Sequence, residues 1–132
     1  MFKIDHIGIA VKNLENSSSL FEQLLGKPSY KTETVDSERV KTEFFEVGES
    51  KVELLVAENE DSAIAKFIEK RGEGIHHIAF EVENIETEIE RLKSQGFQFI
   101  SEQPKRGADN KLICFLHPKS SNGVLVELCQ SI

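Results

Sequence analysis

Four residues of this chain combine metal-donor chemistry with matched placement: His6 and Glu53 in the first half, His77 and Glu127 in the second. Each histidine lies in a strand-like run, Ile4-Asp5-His6-Ile7-Gly8-Ile9-Ala10-Val11 or Ile75-His76-His77-Ile78-Ala79-Phe80-Glu81-Val82. In both runs a small residue, Gly8 or Ala79, stands two places further on. Each glutamate interrupts an apolar run, Lys51-Val52-Glu53-Leu54-Leu55 or Leu125-Val126-Glu127-Leu128-Cys129. A carboxylate in such a setting is expensive to bury unpaired, so it calls for a cation or for water. Two imidazoles and two carboxylates suit Zn²⁺, Co²⁺, Ni²⁺, Mn²⁺ or Fe²⁺, and the two negative charges balance a divalent ion. The pattern predicts one divalent metal held by His6, Glu53, His77 and Glu127.

Strand alternation assigns these residues a common side, because successive side chains point to opposite faces of a sheet. His6 shares a face with Gly8 and Ala10, and His77 with Ala79 and Glu81. Ile7, Ile9 and Val11, like Ile78, Phe80 and Val82, belong to the opposite, helix-covered side. Glu53 alternates with Lys51 and Leu55, Glu127 with Leu125 and Cys129. The histidine side, lined by small residues, has room for a ligand. His76 falls on the core side with Ile78 and is expected to be hydrogen-bonded internally rather than to ligate a metal.

The elements around these strands repeat as well, at an offset of about 70 residues. Asn13-Leu14-Glu15 opens a helix ending near Gly26, and Asn84-Ile85-Glu86 opens another ending near Gly96. Leu14, Leu20, Phe21, Leu24 and Leu25, and likewise Ile85, Ile89 and Leu92, have the spacing of one buried helical face. The asparagines can cap the first turns, and the glycines can take the left-handed conformation that stops a helix. Further strands are expected at 30–35, 39–47, 97–101 and 112–116, with a short connector helix at 61–68 before Gly72. Each half then runs strand, helix, strand, strand, strand. A chain of 132 residues can bury one respectable core, whereas modules of this size are marginal alone. One domain spanning 1–132 is expected, with module one at 1–57, a connector at 58–73 and module two at 74–132.

The net charge of −7 argues against nucleic acid as a partner. No apolar run approaches the length of a membrane helix and no secretory signal is present, so no membrane and a cytoplasmic location are expected. Lys105, Arg106, Lys111 and Lys119 form a local basic cluster suited to an anionic part of a ligand. Lys119 is the substrate-binding candidate, because Lys119-Ser120-Ser121-Asn122-Gly123 adds flexible backbone donors to its charge. His117, before Pro118, is a weaker candidate for contact with a substrate tail. Cys114 and Cys129 match no paired metal motif and read as packed, reduced thiols.

Asp5-His6-Ile7-Gly8-Ile9-Ala10-Val11, Gly74-Ile75-His76-His77-Ile78-Ala79-Phe80-Glu81-Val82 and Phe115-Leu116-His117-Pro118-Lys119 with Gly123-Val124-Leu125-Val126-Glu127-Leu128 carry a family resemblance. Over essentially its whole length the chain resembles the vicinal oxygen chelate (glyoxalase-like) superfamily, and within it the methylmalonyl-CoA epimerase family. The resemblance implies an α+β fold in which two βαβββ modules form a cup-shaped mixed sheet with helices outside. It also implies a homodimer, an acyl-CoA substrate, and His6, Glu53, His77 and Glu127 as metal ligands. Epimerases often have glutamine at the position of Glu53, where bacterial glyoxalase I has glutamate.

The reaction so implied is metal-dependent interconversion of the stereoisomers of methylmalonyl-CoA through an enolate. Inversion requires an acid and a base on opposite sides of the reacting carbon. The resemblance assigns one of these roles to Glu127. Related epimerases carry the other on the strand preceding that of Glu53, which makes Glu43 the candidate. The alignment falls nearer Thr42, however, and a shift of one residue would turn Glu43 off the cup, as an exposed strand residue. Two alternatives stand beside this reading: glyoxalase I (lactoylglutathione lyase) or another metal-dependent enzyme of the superfamily, and a non-catalytic small-molecule binding protein.

Overall fold

A computed structural model describes residues 3–132. In the first repeat, strand β1 (Lys3–Ala10) leads to helix α1 (Leu14–Leu25) and to strands β2 (Lys31–Val35), β3 (Val40–Val47) and β4 (Ser50–Ala57). Helix α2 (Ala63–Arg71) follows. The second repeat is β5 (Gly74–Glu81), α3 (Ile85–Ser94), β6 (Lys105–Gly107), β7 (Lys111–Phe115) and β8 (Val126–Ser131). The fold is α+β, with the expected βαβββ repeat.

Both repeats wire their strands alike. The first has the order β2-β3-β4-β1, antiparallel until the parallel β4–β1 pair. The second has β6-β7-β8-β5, again antiparallel until the parallel β8–β5 pair. A parallel pair needs a long crossover, which the helix and hairpins between its strands provide.

The chain divides into two compact units, His6–His76 on one hand and residues 3–5 with His77–Ile132 on the other. The boundaries therefore fall inside β1 and β5 rather than at the ends of the modules, and α2 belongs to the unit of the first repeat.

Local signals explain the helices. The Asn13 side chain accepts from the Asn16 amide and that of Asn84 from the Thr87 amide, satisfying amides that have no partner within the helix. Ser62 does the same for α2 through the Ala65 amide. Gly26 ends α1 at φ 77°, ψ 18°, in the left-handed region.

In the unit of the first repeat, Val11, Phe45 and Leu54 pack with Ile9 and Val52 against Leu14, Phe21 and Leu25 of α1. Ala10, Val40 and Leu55, on the other face, pack under Ile64, Phe67 and Ile68 of α2. In the second unit Ile85, Ile89 and Leu92 of α3 cover Val82, Cys114, Leu116, Val126 and Leu128. Ala79, Ile113, Cys129 and Phe115 cluster on the reverse face.

The strand expected at 97–101 is not formed. Phe99 makes a single bridge to Leu116, and the edge strand is instead β6. Phe97 and Phe99 pack on the α3 core, so their aromatic character serves burial without a ladder. No helix among the described residues is long and apolar enough to cross a membrane.

Candidate functional site

The site begins with strand register. Pairing of β1 with β4 sets Gly8 opposite Glu53, and pairing of β5 with β8 sets Ala79 opposite Glu127. In each case the histidine lies two residues earlier on the same face. The small residue leaves the carboxylate room to lean along the sheet toward the imidazole. His6 Nδ1 lies 3.1 Å from a Glu53 carboxylate oxygen, and His77 Nε2 lies 3.3 Å from one of Glu127. Each compact unit thus holds one His–Glu pair, built by the same register from the same sequence pattern.

All four side chains are buried, and no residue among them is more than 6% exposed. A histidine nitrogen and a carboxylate oxygen so close, away from water, require positive charge between or upon them, supplied by a proton or by a metal ion. Neutral imidazole and carboxylate are the donor types that first-row divalent metals take, so the residues present fit such an ion. The His77 ring is steadied by an edge contact with Phe115, with ring centroids 5.8 Å apart at 87°. Phe115 is also the residue paired with Glu127 across β7 and β8.

Glu43 belongs elsewhere. Phe44, not Glu43, pairs with Glu53, and Glu43 pairs with Leu54 on the α1 side of the sheet. There it is buried and accepts a hydrogen bond from the Ser18 hydroxyl of α1. It is neither on the face of Glu53 nor exposed, which corrects both its candidacy as an acid/base and its expected exposure. Thr42, paired with Leu55 and almost fully buried, occupies the Glu53 face on β3.

The basic cluster also dissolves in part. Lys111 is buried, with Nζ 3.5 Å from Asp5, 3.6 Å from Glu81 and 2.9 Å from the Ser131 hydroxyl. Its charge is committed to an internal network. Alternation with Ile113 and Phe115 was the signal that it points inward, on the face of Glu127. Asp5, 1% exposed, is the partner that sequence reading missed. Lys119 remains exposed on the 3₁₀ turn Pro118–Ser121. His117 caps that turn, its Nδ1 accepting from the Lys119 amide at 3.2 Å. That bond gives His117 a local structural role.

His76 packs edge-on against Phe67 of α2, centroids 5.0 Å apart, and burial lowers its pKa to about 4. It is therefore neutral at neutral pH. Burial, with Glu127 adding to it, pushes the Cys114 thiol up to about 12, and burial chiefly raises that of Cys129 further. Both cysteines are free and buried.

Comparison with known proteins now defines the class. Residues 5–115 match the Glyoxalase/Bleomycin resistance protein/Dioxygenase superfamily, and the chain belongs to it. It is 41% identical to the Bacillus subtilis protein YqjC over 98% of this chain and 93% of that one. It is 40% identical to the ethylmalonyl-CoA/methylmalonyl-CoA epimerase of Cereibacter sphaeroides, over 97% of both chains. Among solved structures, a Streptomyces coelicolor methylmalonyl-CoA epimerase variant in complex with 2-nitronate-propionyl-CoA superposes with a TM-score of 0.94. That chain is 34% identical, with 99% of this chain and 95% of the other covered. Within the superfamily, the chain is an enzyme of the epimerase type.

Proposed function

We propose that this protein interconverts the stereoisomers of methylmalonyl-CoA through an enolate, with His6, Glu53, His77 and Glu127 together holding one divalent ion: Co²⁺, Zn²⁺, Mn²⁺, Ni²⁺ or Fe²⁺. The observation that carries the reading is the repeat-related pair of buried His–Glu contacts at 3.1 and 3.3 Å. It is supported by 40% identity, over nearly the full length of both chains, to a relative named for this acyl-CoA chemistry. The ion, when bound, supplies Lewis-acid stabilisation of the negative charge that develops on the substrate carbonyl oxygens.

The side chains supply the rest. Glu127 takes the proton from the carbon between thioester and carboxylate, leaving the electron pair to delocalise as the enolate. His77, 3.3 Å away, holds that carboxylate in place before the transfer. His6 and Glu53 are the remaining ligands in this reading. The apolar surroundings of Ala79, Ile113 and Phe115 exclude water and strengthen these electrostatic interactions. In this reading Lys119, exposed on its turn, binds an anionic part of the acyl-CoA. The working protein is a homodimer.

Glu53 favours one second reading, glyoxalase I chemistry on a glutathione hemithioacetal, which also begins with removal of a carbon-bound proton. Proton NMR of the metal-loaded protein in deuterated water separates the two. Exchange of the methylmalonyl-CoA α-proton with interconversion of stereoisomers is expected. Absence of both, with turnover of the methylglyoxal hemithioacetal, overturns the epimerase reading.

A further inference from the structure

We infer that Lys111 is a positioning residue for His6: through its ion pair with Asp5 it sets the direction in which the next side chain of β1 leaves the strand. This rests on the reading of His6 as a metal donor given above. A difference between the repeats points to it. Phe115 pairs with Glu127 as Phe44 pairs with Glu53. Along the same strands Lys111 then answers to Val40, Cys129 to Leu55 and Ser131 to Ala57. On the parallel side Glu81 answers to Ala10. The first repeat fills these four places with apolar residues, packed under α2. The second fills them with a lysine, a carboxylate, a thiol and a hydroxyl. A buried ion pair is in general no more stabilising than apolar side chains of similar volume, so the charges are not needed to fill the space. What they add is direction.

Among the described residues no other lysine or arginine is buried. The Lys111 ammonium donates to the Ser131 hydroxyl at 2.9 Å and lies 3.5 Å from Asp5 and 3.6 Å from Glu81. Its backbone is held as firmly as its head. Asp109 and Asn110, at φ 61° and 55°, turn the chain just before it, and the Asn110 carbonyl accepts from the Ile132 amide at 3.3 Å. Asp5 belongs to the same compact unit, so the ion pair lies wholly within it. His6 follows Asp5 by one peptide bond. Consecutive side chains leave a strand on opposite sides, so holding the Asp5 carboxylate fixes the roll of β1 there, and the roll fixes where the His6 imidazole starts. Without the lysine, the Asp5 carboxylate loses its buried cation and is drawn toward water. The strand turns with it, and His6 turns too.

The test titrates Co²⁺ into the metal-free full chain, read by visible absorption, and follows amide hydrogen exchange in the same samples. Lys111→Met is compared with Lys111→Arg and with the double variant Asp5→Asn, Lys111→Met, which leaves no Asp5 charge behind and keeps the test open if the single variant fails to fold. Although every donor atom remains, Co²⁺ affinity should fall about tenfold or more in Lys111→Met and in the double variant, and Lys111→Arg should recover part of it. Exchange of the His6 and Ile7 amides should quicken about tenfold or more, while the amides of α3 stay within about threefold of wild type. The sign of the affinity change is decisive. Loss of a positive charge acting only at a distance would tighten cation binding, so unchanged or tighter binding in a folded variant overturns the assignment while leaving the metal reading intact. Equal loss of protection in β1 and α3 also overturns it, since that marks general destabilisation. Wild-type protein that binds no Co²⁺ overturns the metal reading and this one with it.

Discussion

At the scale of the residue, the spaces beside the two glutamates matter as much as the ligands. Ala79 has no exposed surface and pairs with Glu127, in the same relation as Gly8 with Glu53. Ala79→Val would place branched carbons where the carboxylate must lean toward His77. Overpacking of this kind costs about 1–3 kcal/mol. The expected result is a lower thermal midpoint together with at least tenfold weaker metal binding by titration, although no donor atom has been removed. Unchanged affinity would contradict the register argument. The free cysteines make a second prediction. A thiolate is the reactive form, and burial pushes Cys114 up to about 12 and Cys129 higher still. Folded protein at pH 8 should react with a disulfide reagent only as fast as it opens, and both thiols should react at once in denaturant. That His6 shares a face with Glu53, and His77 with Glu127, was legible from the repeat and strand alternation. Lys111 was misread because it was counted with its sequence neighbours rather than with its face.

At the scale of the element, β3 shows how a single step in register separates chemistry from support. Glu43 and Thr42 are adjacent in sequence, yet one faces α1 and the other shares the Glu53 side. The Glu43 carboxylate fastens α1 to the sheet through Ser18. Glu43→Gln and Ser18→Ala are each expected to destabilise the fold by about 1 kcal/mol, read from denaturant midpoints, because a buried polar partner is lost or weakened. The double variant should cost less than the sum of the two, since both changes break the same bond. Turnover of Glu43→Gln should stay within about threefold of wild type; a hundredfold loss would return Glu43 to the reaction. Sequence placed β3 correctly but left this register open, because Thr42-Glu43-Phe44-Phe45 has no clean alternation: all four residues are buried. Its strand at 97–101 failed for a related reason. Phe97 and Phe99 supply apolar surface to the α3 core, and propensity alone does not distinguish such packing from ladder pairing.

At the scale of the whole molecule, duplication is what sequence revealed best, since the same strand-helix-strand pattern and the same His–Glu spacing recur. The division into units that exchange strand ends, residues 3–5 with the second repeat and 74–76 with the first, was not visible in it. Nothing local marks a boundary inside β1 or β5, because both strands are continuous hydrogen-bonded elements. The duplication raises a question that linkage can answer: whether each His–Glu pair binds its own ion or the two pairs share one. An ion bound only by the folded state stabilises by about 2.7 kcal/mol at a hundredfold excess over its dissociation constant. For a chain of this size that is a rise of roughly 10 °C in the midpoint. The proposed shared site predicts that His6→Ala and His77→Ala each abolish nearly all of the rise seen with Co²⁺ in the unaltered protein. It also predicts a stoichiometry of one ion per chain, falling well below one in either variant. Independent sites would instead leave each variant with one bound ion and about half of the stabilisation. Removal of metal by a chelator should return the unaltered protein to the midpoint of its metal-free form. A chelator-treated protein that kept its full midpoint and full stoichiometric metal-free activity would exclude the ion from both stability and reaction, and with it the role proposed for all four ligands.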